Sequence, residues 1–391
     1  MNTIRYLWLT LIQTLFRMFP FPTRTGLIPI GNPGRDAPVL LTGNFRLTVE
    51  RVKRALRGLD AYLLVANSRG VNVWCASTGG MLTNHQVVAV LKTSGITERV
   101  DHRRVILPQL AATGIDGGEI KERTGWRVIW GPVEATAIPA FLQAGMQAGR
   151  PMRTIRFPWP RRLEMAVAWA FPISLLALIA LLFWKSAVLP MIGLVWLFSL
   201  IIFLSFPLYE HLLQSGTQHE GFVFFDFGQA KVPLSFWALF LCALIGISLL
   251  SGTFTWTLAF RWGLISLLLL LLLSMDLAGS TPVYKSGLHA DRLLRITLDA
   301  DRCRGAAFCE RVCPVDVFVV DHHHKLAALP RRDQCVQCGA CIVQCPFDAL
   351  YFRSPDGNMI PPDTIRRFKL NLMGSRTVQT GTTTPDSLSP E

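Results

Sequence analysis

Long apolar segments dominate the middle of the sequence. Four of them are long enough to cross the hydrocarbon core of a bilayer as helices, at residues 163–184, 187–208, 232–252 and 258–275. The interval between the second and third segments has an apolar run around Phe222 that is too short to cross. That interval is otherwise polar, with Glu210, His211, His219, Glu220 and Asp226. The pattern predicts a transmembrane region at residues 161–278 with four helices; a fifth span is the alternative.

Residues 38–160 have a different pattern, in which short apolar runs alternate with amphipathic helical stretches. The runs at residues 61–66, 104–107 and 127–130 have the length and composition of buried strands. Helical spacing of apolar positions marks residues 47–59, and residues 84–91 also read as a helix. Such alternation predicts a Rossmann-like α/β domain with a mainly parallel sheet, in which ligands bind at the carboxyl ends of the strands.

The first 37 residues precede this domain. Residues 1–22 are apolar but are interrupted by Arg5, Gln13 and Arg17, so they make a poor spanning helix. No small-residue cleavage site follows them, as a signal peptide would require. We expect an amphipathic helix that lies on the membrane or packs against the spans. Residues 26–38 are rich in Gly and Pro and predict a linker.

The net charge of +13 is distributed unevenly along the chain. Five of the basic residues come just before the first apolar segment: Arg150, Arg153, Arg156, Arg161 and Arg162. Only Lys185 and Arg261 flank the opposite side of the four spans. Basic residues accumulate on the cytoplasmic side of membrane helices, so we expect a multi-pass protein of the cytoplasmic (inner) membrane with both soluble domains in the cytoplasm. No nucleic-acid-binding motif accompanies the charge, which favours membrane lipid over nucleic acid as a partner.

Seven of the nine cysteines lie between residues 303 and 345. The second group, Cys335-x2-Cys338-x2-Cys341-x3-Cys345 followed by Pro346, has ferredoxin spacing, in which three thiolates hold one cluster and the fourth binds another. Soft thiolates in this arrangement suit iron, whereas a zinc knuckle or a disulfide framework is the alternative. We therefore predict an α+β ferredoxin domain of the bacterial type at residues 290–355, in a reducing compartment.

The first cysteine group lacks one ligand. Ala306 stands three residues after Cys303, where a ferredoxin has a cysteine, and alanine has no donor atom. If the fourth cysteine of each group crosses to the other cluster, the ligands divide unequally. The four-thiolate site is then Cys313, Cys335, Cys338 and Cys341, and the three-thiolate site is Cys303, Cys309 and Cys345. We expect a 4Fe-4S cluster in the first and a 3Fe-4S or labile 4Fe-4S cluster in the second.

Cys75 lies apart from these cysteines, in the α/β region. Residues 71–80 read as a strand that runs into a Gly-rich turn, so Cys75 is expected at a strand end. A lone cysteine in an apolar strand is commonly a small buried hydrophobe. With a lowered pKa, however, its thiolate would serve as a metal ligand or nucleophile. The tract His322-His323-His324 is a further metal-binding candidate, or else a solvated turn.

The stretch Asn72-Val73-Trp74-Cys75-Ala76 resembles the signature of HgcA, the corrinoid protein of mercury methylation. Residues 39–49, 131–135 and 138–142 resemble the same group, and the domain is similar to the corrinoid-binding domain of the corrinoid iron–sulfur protein of acetyl-CoA synthesis. HgcA continues into transmembrane helices, and its partner HgcB is a ferredoxin. The chain therefore resembles an HgcAB-like fusion over residues 38–350. The resemblance implies a cobalamin-type corrinoid bound by Asn72, Trp74, Cys75 and Ala76, with Cys75 as the catalytic residue and lower axial ligand to cobalt.

Two features depart from that group. The HgcA signature continues Ala-Ala-Gly-Lys, whereas Ala76 is followed here by Ser77, Thr78 and Gly79, with no lysine. HgcB carries a C-terminal cysteine pair, and no cysteine follows Cys345. The obvious route for delivering Hg(II) to the corrinoid is therefore missing, and we expect a substrate other than mercury.

These observations predict a membrane-anchored, corrinoid-dependent methyl (or alkyl) transfer protein whose ferredoxin domain reduces the cobalt centre. The expected partners are an external low-potential electron donor and a methyl-donor protein or methyl-folate. The alternative is a membrane-bound iron–sulfur electron-transfer protein without corrinoid chemistry, and a third is a protein that binds thiophilic ions through Cys75. A polar tail, expected to be disordered from Thr377, is predicted at residues 356–391.

Overall fold

A computed structural model describes residues 3–17, 19–213, 221–222, 225–274, 294–354 and 357–367. Several predicted features lie outside these residues, namely His219 and Glu220 of the polar interval, the end of the fourth span at residue 275, the start of the ferredoxin domain at 290–293, and the tail from residue 368. Within them, the chain forms an α/β domain, a bundle of long apolar helices and a small α+β domain.

The α/β domain is built on a five-stranded sheet in the order β1-β3-β2-β4-β5. Strands β2 to β5 are parallel, and β1 pairs antiparallel with β3. The strands are β1 (Gly26–Ile30), β2 (Val39–Gly43), β3 (Ala61–Ala66), β4 (Arg104–Pro108) and β5 (Arg127–Gly131). The predicted parallel strands are therefore present, at nearly the expected bounds.

Helices cover both faces of this sheet. Alternate side chains of a strand point to opposite faces, so Leu41 and Leu64 join one buried cluster and Leu40 and Leu63 join another. The first face packs against α4 and α6, and the second against α2 and α7. The helices are α1 (Thr3–Leu15), α2 (Arg46–Ala55), α3 (Val73–Thr78), α4 (Asn84–Thr93), α5 (Ile96–Arg99), α6 (Gly117–Thr124), α7 (Ile138–Gln143) and α8 (Arg150–Arg153).

Two predictions about this domain are wrong. Residues 26–38 are not only a linker, because β1 occupies the first five of them; Pro29 is tolerated there because an edge strand need not use every N–H group. Residues 73–78 are not a strand but the short helix α3. The Asn72 side chain accepts a hydrogen bond from the Cys75 amide, and this N-cap begins a helix where the apolar run alone suggested an extended chain.

The helical region contains α9 (Trp159–Ala177), α10 (Lys185–Leu204), α11 (Phe206–Tyr209), α12 (Phe227–Leu250) and α13 (Trp256–Ser274). Among the described residues, three stretches are long and apolar enough to cross a membrane: Lys185–Leu204, Val232–Leu250 and Trp256–Leu273. Helix α9, which covers the first predicted span, carries Arg161, Arg162 and Glu164 in its first turns.

Helix α1 joins the α/β domain to this region. The Gln13 side chain accepts a hydrogen bond from the Leu47 amide at the start of α2, and the Arg54 guanidinium stacks on the Tyr6 ring at 4.6 Å. At its far end, the Phe16 ring meets the Phe171 ring of α9 edge-on at 5.2 Å. The opposite face of α1 exposes Ile4, Leu7, Trp8 and Leu11. Gln13 and Arg17 thus face protein, Arg5 is exposed, and an apolar stripe faces outward.

The C-terminal domain has one three-stranded sheet in the order β12-β11-β8 and one hairpin of β9 and β10. Two short helices follow the cysteine loops. The elements are β8 (Arg295–Leu298), α14 (Phe308–Val312), β9 (Val319–Asp321), β10 (Leu326–Ala328), α15 (Ala340–Val343), β11 (Leu350–Arg353), β12 (Met359–Ile360) and α16 (Pro362–Arg367). A further two-residue pair, β6 (Gly221–Phe222) and β7 (Phe225–Asp226), precedes α12.

The prediction of a polar tail from residue 356 is wrong for its first part. Strand β12 pairs with β11, and Ile365 of α16 is buried in the core of the C-terminal domain. Arg366 donates to the Cys345 carbonyl at 3.0 Å and to the Asp348 carboxylate at 2.5 Å. Ile360 and Ile365 supply the apolar contacts that bring this segment into the fold, so the domain extends through residue 367.

Candidate functional site

A cavity of about 240 Å³ opens at the carboxyl ends of β2, β4 and β5. Strand β3 lies on one side of β2, and β4 lies on the other side. From β2 the chain therefore continues across the sheet in one direction to β3 and then in the opposite direction to β4 and β5, which makes this a topological switch point. Open α/β sheets bind their ligands at such a switch point. The walls are mostly apolar and include Leu41, Thr42, Val73, Trp74, Leu107, Pro108, Gly131 and Pro132.

Helix α3 presents the predicted site residues at one wall of this cavity. The Asn72 carboxamide oxygen accepts a hydrogen bond from the Cys75 amide at 2.9 Å, and its nitrogen contacts the Cys75 sulfur at 3.2 Å. Asn72 therefore begins the helix and also orients the thiol. Trp74 is buried and lines the cavity together with Asn72, whereas Ala76 is fully buried on the other side of the helix. The half-buried Cys75 thiol lies against Asn72 and does not itself line the wall.

Charged side chains form the opposite wall. Arg17, Arg51 and Arg161 approach the Glu164 carboxylate with N–O distances of 4.0, 3.1 and 2.9 Å. Arg161 also pairs with Glu134 at 2.9 Å. All three arginines line the cavity, as does Arg156. The wall thus has four guanidinium groups for two carboxylates. Arg156 and Arg161 come from the segment at the start of α9, whereas Arg17 follows α1 and Arg51 belongs to α2.

The four-thiolate site lies in the interior of the C-terminal domain. Cys313 and Cys341 are buried, and their sulfur environment includes backbone donors, with the Val317 amide 3.3 Å from the Cys313 sulfur. Burial raises the pKa of the Cys341 thiol well above its usual value, and the charges of Cys338, Cys335, Cys313 and Cys309 add to the rise. The other three predicted ligands, and Cys309 of the three-thiolate site, therefore lie within electrostatic reach of Cys341. Iron must displace their protons to bind, because the thiolate is the ligating form.

The three-thiolate site surrounds a separate small cavity. Cys303, Cys309 and Cys345 line it together with Ala306, whose methyl group occupies the position of the missing ligand. Burial raises the pKa of the Cys309 thiol to about 12, with further contributions from Cys345 and Cys303. Next to Ala306, Gly305 has a positive φ of 66°, and a Cβ there would come within 2.6 Å of the Lys325 backbone. A tight loop thus holds Ala306 against this site.

Among the described residues, no three His, Cys, Asp or Glu side chains converge on a single metal ion, and this holds for the cluster cysteines as well as for the remaining candidates. Residues 322–325 form an exposed turn between β9 and β10, in which His324 contacts Asp321 at 2.5 Å. Cys242 is exposed on α12. The sequence interpretation of the His tract as a solvated turn agrees with this geometry.

The buried side chain of Gln344, here called the polar plug, joins the C-terminal domain to the α/β domain. Gln344, next to Cys345, donates from its side-chain amide to the carbonyls of Ala112 and Ile115 at 3.0 and 2.6 Å. Its oxygen accepts from the Gly117 amide at 3.2 Å. Gln344 is buried, and every hydrogen bond of its carboxamide goes to the α/β domain. The side chain therefore fixes the cluster loop to the 3₁₀ helix Gln109–Thr113 and to the start of α6.

Ion pairs strengthen the contact between the C-terminal domain and the α/β domain, here called the seam, at a second point. Arg153 pairs with Asp316 at 2.7 Å and with Glu310 at 3.1 Å, and both Arg153 and Asp316 are almost fully buried. The Ile155 amide donates to the Pro314 carbonyl at 2.8 Å, directly after Cys313. Sequence reasoning assigned Arg153 to a membrane flank and missed Gln344, Glu310 and Asp316 altogether. The only sequence signal of Gln344, Glu310 and Asp316 is that each lies within three residues of a cluster cysteine.

The cavity has features that fit a corrinoid. Thr42 lines it with a buried hydroxyl that has no hydrogen-bond partner among the described residues, and such a group suits the amide substituents of a corrin ring. The Cys75 thiol adjoins this wall, and a thiolate is a strong ligand for cobalt. The enclosed volume is below the 300–1,000 Å³ typical of small-molecule pockets, so a macrocycle would fill it in part and extend through its open side.

Comparisons with known proteins agree with this division of the chain. Residues 8–142 match the family model described as the CO dehydrogenase/acetyl-CoA synthase delta subunit, and residues 331–351 match the model of a 4Fe-4S binding domain. The second match contains the cysteines from 335 to 345 and does not include the first group. The resemblance of the α/β domain to the corrinoid iron–sulfur protein of acetyl-CoA synthesis is thereby confirmed, whereas the matches are not specific to HgcA.

Curated relatives align with about a third of the chain. The gamma subunit of the acetyl-CoA decarbonylase/synthase complex of Methanothermobacter thermautotrophicus is 39% identical over 138 residues, which is 34% of this chain and 30% of the relative. The same subunit of Archaeoglobus fulgidus is 36% identical over 126 residues, 32% of this chain and 26% of the relative. The corrinoid/iron-sulfur protein large subunit of Moorella thermoacetica is 32% identical over 129 residues, 32% of this chain and 28% of the relative.

The chain therefore spans between about a quarter and a third of the length of the curated relatives it matches. It is a multidomain protein with an N-terminal domain similar to corrinoid/iron-sulfur proteins and a C-terminal ferredoxin-type domain that carries a 4Fe-4S motif.

Proposed function

We propose that the protein is a membrane-anchored corrinoid methyl (or alkyl) transfer protein that carries its own electron donor. The observation that carries this proposal is the shared interior of the two soluble domains. Val312 and Ala340, which precede Cys313 and Cys341, belong to the same buried cluster as Val73 and Ala76 of α3. The helix with the proposed cobalt ligand and the helices next to the cluster cysteines thus pack into one core.

Each of the site residues has a distinct role in this proposal. A bound corrinoid would supply a cobalt centre that accepts and passes on an alkyl group and that needs a low-potential electron when it is oxidised. Cys75 would be the thiolate ligand of the cobalt, and the Asn72 side-chain amide orients its sulfur. Trp74 would pack against the ring, and Ala76 anchors α3 in the core. Arg17, Arg51 and Arg161 would face the phosphate of a cobalamin-type nucleotide tail.

The contact between the two soluble domains supports a cytoplasmic membrane protein with four spans. Domains that touch lie on the same side of a bilayer, so the chain between them crosses an even number of times. Three apolar helices qualify by length and composition, and α9 with the following 3₁₀ turn Leu178–Leu182 supplies the fourth. The charged first turn of α9 would remain at the interface, where Arg side chains extend toward water. The exposed apolar stripe of α1 would contact lipid.

Cobalt content tests the proposal directly. The full chain, purified anaerobically after expression with a corrinoid supply, should contain cobalt and show corrinoid absorbance. Cys75→Ala should alter that absorbance because it removes the axial thiolate. Cys242→Ala, which removes the exposed cysteine of α12, is the matched control and should leave the spectrum unchanged. A protein that binds no cobalt under anaerobic reconstitution would contradict the proposal.

The second candidate is a membrane-bound iron–sulfur electron-transfer protein without corrinoid chemistry. Two observations favour it: the signature after Cys75 lacks a lysine, and the Cys75 thiol lies against Asn72 instead of on the cavity wall. Under this candidate, iron and sulfide would be present without cobalt, and Cys75→Ala would leave every absorption band in place. In the main proposal the chain is an HgcAB-like fusion, its methyl group comes from a methyl-donor protein or methyl-folate, and its electrons come from an external low-potential donor.

A further inference from the structure

We infer, on the basis of the proposed function, that the two clusters act in a fixed order. The three-thiolate site receives electrons from an acidic electron-carrier protein, and the four-thiolate site passes them to the α/β domain.

The four-thiolate site adjoins the α/β domain. Its ligand Cys338 packs against the buried cluster that contains Val73 and Ala76. Val312 and Ala340 are members of that cluster, and each stands one residue before another ligand of the same site. Three of its four ligands are therefore in, or directly beside, the interior that also holds α3.

The cavity of the three-thiolate site is lined without the α/β domain, although Gln344, which precedes the ligand Cys345, bonds that domain. Every residue that lines this cavity lies between Leu298 and Leu350, inside the C-terminal domain. The rim reaches the surface, since Arg304 is exposed and Phe347 is 44% exposed. A cluster here would have a short path to a docked protein, whereas the four-thiolate site is covered by the α/β domain.

The surface around the three-thiolate site is basic. Arg304 lines the cavity, the Arg311 guanidinium lies over the Phe308 ring at 5.7 Å, and the backbone of Lys325 adjoins Gly305. These three cations are exposed, and within the described part of the chain none of them pairs with a carboxylate. A fourth, Arg302, is offset by Asp299 at 3.4 Å, and Asp301 is nearby. The balance remains positive, which complements an acidic partner and steers its approach.

A continuous set of contacts leads from the seam to α3. Gln344 bonds the carbonyls of Ala112 and Ile115, on either side of Gly114. Gly114 in turn lies so close to Ser77 that a Cβ at this position would be 2.6 Å from the Ser77 carbonyl oxygen. Ser77 stands two residues after Cys75 in the same helix. The plug therefore holds the cluster loop and the helix of the proposed cobalt ligand in a fixed relation.

The electron count is simple. The acidic carrier protein, a one-electron donor, loses one electron to the three-thiolate cluster and leaves oxidised. That cluster would pass the electron to the four-thiolate cluster, which would pass it on to the α/β domain, where a bound corrinoid would be the acceptor. Each of these transfers delivers one electron.

The order of the sites is testable without any corrinoid. A nitroxide is attached to Cys75 in a Cys242→Ala background with both clusters loaded, and the relaxation enhancement of the nitroxide is measured by EPR as each cluster becomes paramagnetic. We expect the stronger enhancement from the four-thiolate cluster. The control carries the nitroxide at Arg57→Cys in a Cys75→Ser, Cys242→Ala background. Position 57 follows α2 on the opposite face of the sheet, so this nitroxide should respond weakly to both clusters. A stronger response at Cys75 to the three-thiolate cluster would overturn the order, whether or not the protein binds cobalt.

The docking surface has its own test. Reduction of the clusters in the full chain is followed at low salt with an acidic plant-type ferredoxin as donor. Arg304→Gln with Arg311→Gln should slow this reduction on the order of tenfold, while reduction by a photochemical deazaflavin donor stays unchanged. Lys121→Gln with Arg123→Gln on α6 removes the same charge elsewhere and should have little effect. Equal slowing by both pairs, or slowing with the deazaflavin, would overturn the docking site.

Discussion

Asn72 shows how one side chain can serve both the fold and the proposed chemistry. Its oxygen bonds the Cys75 amide and so begins α3, and its nitrogen bonds the Cys75 sulfur. The sequence predicts Asn72, Trp74, Cys75 and Ala76 as neighbours of a cofactor because they resemble a known signature. It does not predict that the asparagine holds the thiol, since a side-chain contact of this kind depends on the helix that the asparagine itself starts.

Ala306 should decide the nuclearity of the three-thiolate cluster. Ala306→Cys supplies the missing donor at a position that already lines this site. We expect the oxidised wild-type protein to give a three-iron EPR signal and the variant to lose it, because a fourth thiolate retains the fourth iron. Ala307→Cys, one position further on, offers a thiol without the ferredoxin spacing and should keep the signal. Eight irons in the wild type with no such signal would contradict the three-iron assignment.

The His324–Asp321 pair should titrate as a unit in the exposed turn. The Asp321 carboxylate raises the pKa of His324, and the same contact lowers the pKa of Asp321 to about 2. The attraction is therefore present between pH 2 and the raised histidine pKa; it is lost as the pH rises through the histidine pKa or falls through about 2. In NMR titrations, Asp321→Asn should return His324 to an ordinary histidine pKa. An unchanged pKa in the variant would contradict the pairing.

At the scale of elements, the strands were predictable and the exceptions have local causes. Buried parallel strands are continuous apolar runs, so Ala61–Ala66 and Arg104–Pro108 follow directly from the sequence. Strand β1 was missed because Gly26 and Pro29 resemble a linker when its partner β3 is not considered. Helix α3 is only six residues long, too short for helical periodicity to be visible.

The close approach of α3 to the 3₁₀ helix gives a prediction at this scale. A Cβ at Gly114 would come within 2.8 Å of three backbone atoms, two of Ser77 and one of Leu82. Because backbone atoms cannot turn aside, Gly114→Ala should destabilise the domain by about 1–3 kcal/mol and lower its cobalt content by displacing α3. Chemical denaturation and cobalt assay check both effects.

Gly34→Ala is the matched control for this substitution. Gly34 has open space around its Cβ position and lies outside the positive-φ region, so its replacement should be close to neutral. If Gly114→Ala were equally neutral, the tight contact between these elements would not exist in solution.

For the whole molecule, the seam is the feature that sequence reasoning could not supply. Gln344 bonds groups that precede it by 227 to 232 positions, and Arg153 meets Glu310 across 157 positions. No periodicity or motif encodes pairings over such separations. The cysteines, by contrast, are arranged by spacing within 43 residues, which is why a 4Fe-4S motif could be predicted and the orientation of the domain toward the α/β domain could not.

Arg153 should control how strongly the two domains are coupled. Arg153→Leu removes one cation from the buried Asp316, which keeps Arg150 and Arg331 at 2.6 Å each. We expect a loss of about 1–3 kcal/mol, the range for hydrogen bonds to charged groups, and a separation of the thermal unfolding of the two domains in calorimetry. Arg123→Leu breaks the exposed pair with Glu119 and should cost at most about 1 kcal/mol. Identical effects of the two substitutions would mean that the seam contributes nothing.

In the proposed function, the electron donor and its acceptor belong to one chain. The rate of the final electron transfer would therefore not depend on the concentration of a separate donor protein. Separate ferredoxins must find their partners by diffusion, so their electron delivery rises with abundance and falls as salt screens the encounter. In the proposed function, Gln344 and Arg153 hold both domains of one chain together, so the last transfer would be unimolecular and its rate would be a property of the single molecule. Dilution and salt would then govern only the first encounter, with the outside carrier. A cell that makes few copies of this protein would lose none of its speed at the final step.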